Sequence, residues 1–192
     1  MTSVTIFGTG NMANAIGGVF AAGGSSVAYI GRERVGAASV EGDIVVLAVP
    51  HPAVDEIVTT YADQLAGKTV VDITNPVDFS TFDSLVVPAG SSLTAQIQDR
   101  LPQSSVVKAF NTNFAATLAS GKVGELPTTV LVAGDDTVAK SALISAIEAG
   151  GLGVIDAGSL SRANELEAIG FLQLTLAVGE QIAWTGGFAS VR

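Results

Sequence analysis

The sequence predicts an α/β fold: a Rossmann-type, doubly wound and mainly parallel sheet with a small C-terminal helical portion. Three observations predict it. Short apolar runs alternate along the chain with stretches of helical period, the pattern of β-α-β units. Apolar residues make up 48% and charged residues only 14%, a balance suited to strands buried on both faces. The first apolar run, Val4-Thr5-Ile6-Phe7, breaks into Gly8-Thr9-Gly10-Asn11-Met12-Ala13 before a stretch of helical period. That is a Gly-x-Gly-x-x-Ala turn between a strand and a helix, the setting in which such a turn binds a dinucleotide.

In that turn Gly8 permits the tight bend, Gly10 removes a Cβ so that a pyrophosphate can approach the backbone, and Ala13 lets the helix pack against the strand. Free N-H groups at the helix start face the phosphates. Met12, Ile16, Val19 and Phe20 fall on one helix face, and Gly23 is a stop signal. The strand Val27 to Ile30 ends where an NAD-binding unit places a carboxylate on the ribose 2'-OH. Gly31 stands there, followed by Arg32 and Arg34. An acid would repel a 2'-phosphate, whereas Gly opens room and guanidinium groups bind it through forked, charge-assisted hydrogen bonds. NADP(H) is therefore expected in preference to NAD. Glu33 is the competing group, able to point inward and take a ribose hydroxyl.

Between Gly31 and Glu41 there is too little sequence for a full helix, so the usual helix before the third strand is shortened or missing. Asp43 to Val49 is a buried strand delivering Pro50 and His51 to the cofactor edge, and Pro52 suits the first turn of a helix from Ala53 to Gln64. Thr69 to Ile73 is the next strand, delivering Thr74, Asn75 and Pro76 to the same edge. Phe79 to Gly90 reads as an irregular loop, a lid or wall of a site or only packing. A helix from Ser92 to Leu101 precedes a strand from Val106 to Phe110, which presents Asn111, Thr112 and Asn113. A short helix follows near Phe114 to Ala119, then a strand from Thr128 to Ala133, a helix capped by Asp135 through Ala149, and a last strand, Val154 to Asp156. Ser161 to Trp184 reads as one long helix capped by Ser161 or Asn164. Its section from Ala168 to Val178 is apolar on nearly every side, so it is central to the core or shared with a second subunit. A homodimer through this helix is expected.

A chain of 192 residues suits a single domain, with residues 1-113 as the nucleotide-binding core and 114-192 as a strand and helix extension. The net charge of -9 argues against nucleic-acid or anionic-membrane surfaces. The segment Met1 to Gly31 carries no charge, but it lacks a positive n-region and glycines interrupt it, so neither a signal nor a membrane anchor is expected. Without cysteine and with one His, disulfides, thiol chemistry and a zinc site are not expected, and a cytoplasmic location is.

With these residues in place, the chain resembles the NADP oxidoreductase, coenzyme F420-dependent family, which includes the reductase domain of six-transmembrane metalloreductases. The matching motifs are Gly8-Thr9-Gly10-Asn11-Met12, Gly31-Arg32, Ala48-Val49-Pro50, Asn75-Pro76, Lys108-Ala109-Phe110-Asn111-Thr112, and Asp156-Ala157-Gly158 with Leu166-Glu167 after it. The first motif is also similar to pyrroline-5-carboxylate reductase, a family that lacks the Ala-Phe-Asn-Thr segment and carries a long helical dimerisation domain. The resemblance implies NADP(H) held by Gly8 to Met12, Arg32 and Arg34, with the nicotinamide near Pro50 and Asn75 on an edge formed by Ala48, Val49, Pro76 and Asn111. It also implies a deazaflavin, F420, stacked on the nicotinamide. The chain shows no obvious basic cluster to receive that molecule's acidic tail.

Hydride transfer between a nicotinamide and a flavin-like ring needs two rings held face to face, without a buried lysine or a Ser-His-Asp set. Carbonyl or imine reduction needs a proton donor as well, and His51 is the natural candidate; its bland alternative is to cap the following helix or line the nucleotide site. Asn75 and Asn111 either bind ribose or the nicotinamide amide, or close their strands as Asx turns. Arg162, Glu165 and Glu167 either face a cleft or, as the three-residue spacing of Arg162 and Glu165 favours, form an exposed helical charge set. The expected function is an NADP(H)-dependent oxidoreductase passing hydride to a flavin-like or other small acceptor. The alternatives are a small carbonyl or imine reductase using His51, and a non-catalytic NADP(H) sensor.

Overall fold

The computed structural model describes residues 2–191. Strand β1 (Ser3–Phe7) lies inside the sheet, with Val4 opposite Val27 on one side and Ile44 on the other. Helix α1 (Asn11–Ala22) carries the chain to β2 (Ser26–Ile30). From β2 only a single 3-10 turn, Arg32–Arg34, and a short loop lead to β3 (Ile44–Leu47), on the far side of β1. The helix expected to be shortened or missing is thus one turn. Helix α2 (His51–Leu65), β4 (Thr69–Asp72), α3 (Leu93–Arg100) and β5 (Ser105–Lys108) continue the parallel sheet outward. Ser92 caps α3 by accepting the Ala95 N-H.

After β5 the direction changes. Helix α4 (Ala115–Ser120) and a small hairpin of β6 (Lys122–Val123) and β7 (Leu126–Pro127) lead into β8 (Thr129–Gly134), which runs antiparallel to β5 with Lys108 opposite Ala133. The sheet is mainly parallel, as the sequence predicts, and the β5–β8 pairing is its antiparallel step. A parallel strand needs a connection that returns to the opposite end of the sheet, and a six-residue helix rises only about 9 Å. The chain therefore stays at the cofactor edge and enters β8 from there. Helix α5 (Thr137–Ala149) returns it to β9 (Gly153–Gly158), parallel to β8, completing the order β2-β1-β3-β4-β5-β8-β9. A 3-10 turn, Leu160–Arg162, opens into α6 (Ala163–Val178). No helix among the described residues is long and apolar enough to cross a membrane.

The sheet carries an apolar core on each face. Ile6, Ile16, Phe20, Val46, Leu143 and Ile147 form one beneath α1 and α5; Phe7, Leu47, Ile57, Tyr61, Leu65 and Ile97 form the other beneath α2 and α3. Two caps differ from expectation. Asp136 caps α5, accepting from the Val138 and Ala139 N-H groups, while Asp135 accepts the Leu160 N-H instead. Arg162, with no side-chain cap, precedes α6, and Asn164 bonds to the Ser91 carbonyl. The helix ends at Val178, short of Trp184, because Gly179 and a left-handed Glu180 (φ 57°) turn the chain away.

Glu167 is not part of an exposed charge set. It is fully buried with Lys108 and Asp72: the Lys108 Nζ lies 2.8 Å from Asp72 Oδ2 and 3.0 Å from Glu167 Oε1, and donates to the Thr74 carbonyl at 2.6 Å. Thr94 donates its hydroxyl to Asp72, and Glu167 accepts the Leu93 N-H at the start of α3. Burial raises the Asp72 pKa, but the Lys108 charge and hydrogen bonds from Lys108, Thr74 and Thr94 overcome it and leave it below the usual carboxylate value. For Glu167, burial and the neighbouring Asp72 charge outweigh Lys108, and the pKa is raised. Arg162 and Glu165 do pair on the surface, at 2.7 Å.

One cation serving two buried carboxylates makes a clear prediction. Lys108→Met should lower stability at neutral pH by about 3–5 kcal/mol, the cost of stranding buried charge. The deficit should shrink on acidification, because both carboxylates then protonate in the variant's native state. Urea denaturation at pH 7 and pH 5 measures it, and a deficit that grows with acidity is the contrary result.

Candidate functional site

Strands β1 and β3 end side by side, but α1 leaves over one face of the sheet and α2 over the other, so a crevice opens beyond Phe7 and Leu47. Two glycines shape its floor. Gly8 has φ of +114°, and a Cβ there would collide with the Ala48 carbonyl oxygen. Gly10 precedes α1 in extended conformation, and a Cβ on it would meet nothing within 4 Å, so the backbone lies open to the cleft. No acidic side chain occupies the first turn of α1, whose N-H groups have no partner within the helix. Asn14 steadies the turn by donating to the Thr9 carbonyl at 3.0 Å.

The crevice holds two cavities, of about 520 and 640 Å³, which meet at Gly10, Ala48, Val49 and Pro50. Together they exceed what one small ring system needs. The smaller runs under Gly8 and Thr9 to Arg32 and Glu56. The larger runs past Asn11, Met12 and His51 to Asn75, Asn111 and Trp184. Most residues singled out in the sequence are thus brought together. Gly31, Arg34 and Pro76 line neither cavity; Arg34 is exposed and Pro76 is buried behind the strand end. The room left by Gly31 is taken by Glu33, whose carboxylate oxygens lie 2.6 and 2.7 Å from where a Cβ would stand.

Asn75 and Asn111 form a reciprocal pair. Asn75 donates to the Asn111 carbonyl at 2.9 Å, and Asn111 donates to Asn75 Oδ1 at 2.9 Å and to the Leu166 carbonyl at 2.7 Å. Gly170 of α6 sits directly on this pair, where a Cβ would collide with Asn75 Oδ1. Since both Asn111 N-H bonds go to carbonyl-type acceptors, its Oδ1 is left over, buried and without a donor among the described residues. Asn113 is alike: it donates to the Thr129 carbonyl and its Oδ1 has no partner. Phe110, just before them, is buried with φ of +63°, a strained setting for a bulky residue. A buried acceptor without a donor costs about 1–3 kcal/mol, which a ligand N-H or a water can remove.

His51 is the first residue of α2. Its ring stacks on Phe79 with centroids 5.2 Å apart, its Nδ1 is buried without a partner among the described residues, and burial lowers its pKa. The loop expected over Phe79 to Gly90 is pinned by a Val77–Leu85 bridge and Asp78 hydrogen bonds to Ser80, and it contributes Phe79 to the cleft wall. Phe114 and Trp184, which line the same cavity, pack on each other with centroids 5.0 Å apart. Trp184 and Gly170 were not legible as site residues. The signals were a lone Trp beyond an apolar helix and a single Gly within it.

No protein-family model matches the chain. It is 31% identical over 161 residues to an F420-dependent NADP reductase of Methanocaldococcus jannaschii, covering 82% of this chain and 71% of that one. It is 37% identical over 109 residues to the metalloreductase STEAP3 of Rattus norvegicus, covering 56% of this chain and spanning only 21% of that protein. Its fold superposes with a TM-score of 0.86 on a crystal structure titled as an F420-dependent NADP-reductase, from Arthrobacter sp. FB24, at 26% identity and 100% coverage of both chains.

His51 is the single histidine, so its titration is directly observable. Its NMR midpoint should fall below 6.5, and below that value the protein should lose stability, because the unfolded chain then binds the proton more readily than the native one. A midpoint above 6.5 contradicts the burial that holds the ring neutral.

Proposed function

The chain belongs to the F420-dependent NADP reductase family, and from that premise we propose that its cleft holds NADP(H) along its whole length. The protein is an NADP(H)-dependent oxidoreductase. The proposed binding set is Gly8, Thr9, Gly10, Asn11 and Met12 for the phosphates, and Arg32, with Arg34 adding charge, for the 2'-phosphate. Ala48, Val49, Pro50, Asn75 and Asn111 would take the nicotinamide end. One observation carries this reading. A single cleft crosses the strand ends, with a guanidinium that makes no ion pair among the described residues at one end and amide oxygens without a donor among them at the other.

The backbone N-H groups of α1 hold anionic oxygens without requiring a lysine. The side-chain oxygens of Asn111 and Asn113, buried without a donor among the described residues, would accept the N-H groups of a carboxamide. NADPH, when bound, supplies a hydride and leaves as NADP+, and the acceptor takes that hydride together with one proton from solvent. We assign the acceptor to the larger cavity as a flavin-like ring, F420 or a flavin. Burial keeps His51 neutral and its ring packs on Phe79, so we give it a packing role: ring-to-ring transfer rests on proximity and orientation.

We further propose a cytoplasmic homodimer, with residues 114-192 supplying the second wall of the cleft and the subunit contact. Leu172 and Val178 on α6, with Phe188 and Val191 beyond it, are large exposed apolar residues.

Calorimetry should show NADP+ bound more tightly than NAD+. Arg32→Ala should weaken NADP+ by about 10- to 100-fold, the loss of one or two charged hydrogen bonds, and leave NAD+ nearly unchanged. Equal affinities in the wild type would sink the assignment of Arg32. For the dimer, light scattering should give twice the 19.3 kDa chain mass, and Leu172→Glu should return it to one chain; a monomeric wild type removes the proposal.

A further inference from the structure

The smaller cavity, of about 520 Å³, is lined by one cation and one anion, Arg32 and Glu56, and otherwise by uncharged residues. Glu56 reaches it from the first turns of α2, where Pro52, Ala53, Glu56 and Ile57 share a helix face and all four line the cavity. Asp55, its neighbour in sequence, is taken by Arg100 of α3 at 2.6 Å. The Glu56 carboxylate makes no hydrogen bond and no ion pair among the described residues, and neither does it pair with Arg32 across the cavity. Two opposite charges thus face one space without meeting.

With the pyrophosphate at Gly8 to Met12 and the nicotinamide in the larger cavity, the adenosine of the cofactor falls to this smaller one. Adenosine 2'-phosphate offers two groups of opposite character. Its phosphate matches the Arg32 guanidinium. A carboxylate accepts hydrogen bonds, donates none and repels a phosphate, so Glu56 requires an uncharged donor. The ribose 3'-hydroxyl adjoins the phosphate and goes with it towards Arg32. The exocyclic amine of adenine is the donor that remains. Val35, Ala53 and Ile57 supply apolar contact for the faces of the base.

We propose that Glu56 reads the base, its carboxylate accepting an N-H of the adenine amine. The inference rests on NADP(H) lying along the cleft as proposed above. It makes Glu56 a specificity-determining residue that acts on the base, separate from the selection for a 2'-phosphate at Arg32. The unpaired charges of the cavity are then both matched by one nucleotide, the phosphate at one and the amine at the other.

The test is calorimetry with NADP+ and with nicotinamide hypoxanthine dinucleotide phosphate, in which a carbonyl oxygen replaces the amine. The N1-H that this change adds lies beside the new oxygen, so a bond to it sets the carboxylate against that oxygen. The wild type should bind the hypoxanthine nucleotide about 3- to 10-fold more weakly than NADP+, the loss of one hydrogen bond to an exposed carboxylate. Glu56→Ala should bring the ratio close to one. Any general gain from removing a negative charge acts on both nucleotides and cancels in that ratio. Glu56→Gln, whose amide can turn an N-H towards the oxygen, should also close the gap, but by tightening the hypoxanthine nucleotide. A wild type that binds both alike, or a Glu56→Ala protein that keeps the gap, overturns the inference and leaves NADP+ binding intact. A wild type that binds no NADP+ removes the cofactor reading and this inference with it.

Discussion

The Lys108 ammonium holds the rest of this architecture in register. It lies on β5, bonds to Asp72 at the end of β4 and to the Thr74 carbonyl beyond it, and reaches Glu167 on α6. Glu167 in turn takes the first N-H groups of α3. Four elements therefore meet at one charge. An apolar replacement of a whole buried ion cluster is often neutral in stability, so the geometry it imposes matters more than any net energy. What it imposes is the height at which Asn75 and Asn111 leave their strands and the depth at which α6 crosses them. Gly170 completes that crossing, because only a residue without a Cβ lets the helix reach the asparagine pair.

The cleft follows from topology and from that crossing together. A parallel sheet with helices leaving over opposite faces opens a crevice at the ends of β1 and β3, which suffices for a nucleotide. A second ring needs a wall on the other side. The antiparallel β8 supplies its foundation: the chain never leaves the cofactor edge after β5, so α4, the hairpin and the start of β8 are stacked there. Gln173 then ties α6 to the Thr112 carbonyl and accepts the Phe188 N-H, fixing the segment that carries Trp184. The segments after β5 are thus connected into one wall along that edge of the sheet.

Much of this was legible because it is local. Gly8 to Ala13, the buried runs ending at Pro50 and Asn75, and the Arg32 position each declare themselves within a few residues. The antiparallel strand was not, since the direction of β8 depends on how far α4 travels and a strand reads the same in either sense. Glu167 was misread for a related reason. Its partner lies 59 residues away, and a Glu in the first turns of the C-terminal helix, beside a true Arg162–Glu165 pair, carries no mark of burial. Asp135 and Asp136 show the limit of local reading at its finest scale: either can cap α5, and the choice is made by Leu160, whose N-H claims Asp135.

Several of the places where the chain departs from ordinary local rules are gathered at the cleft. Phe110 takes a left-handed backbone, Asn111 and Asn113 keep acceptors without donors, and His51 buries a nitrogen without a partner, all within reach of one cavity. Elsewhere the same chain satisfies its polar groups closely, as at Gln98, whose amide bonds to two carbonyls and the Val106 N-H. Scattered defects would signal poor packing; defects converging on one surface, beneath uncovered aromatic rings, are the pattern of a site whose last hydrogen bonds and contacts come from its ligands. The polar shortfall, at Asn111 and Asn113, and the uncovered aromatic area, at Phe79 and Trp184, line one and the same cavity, so whatever fills it meets both at once.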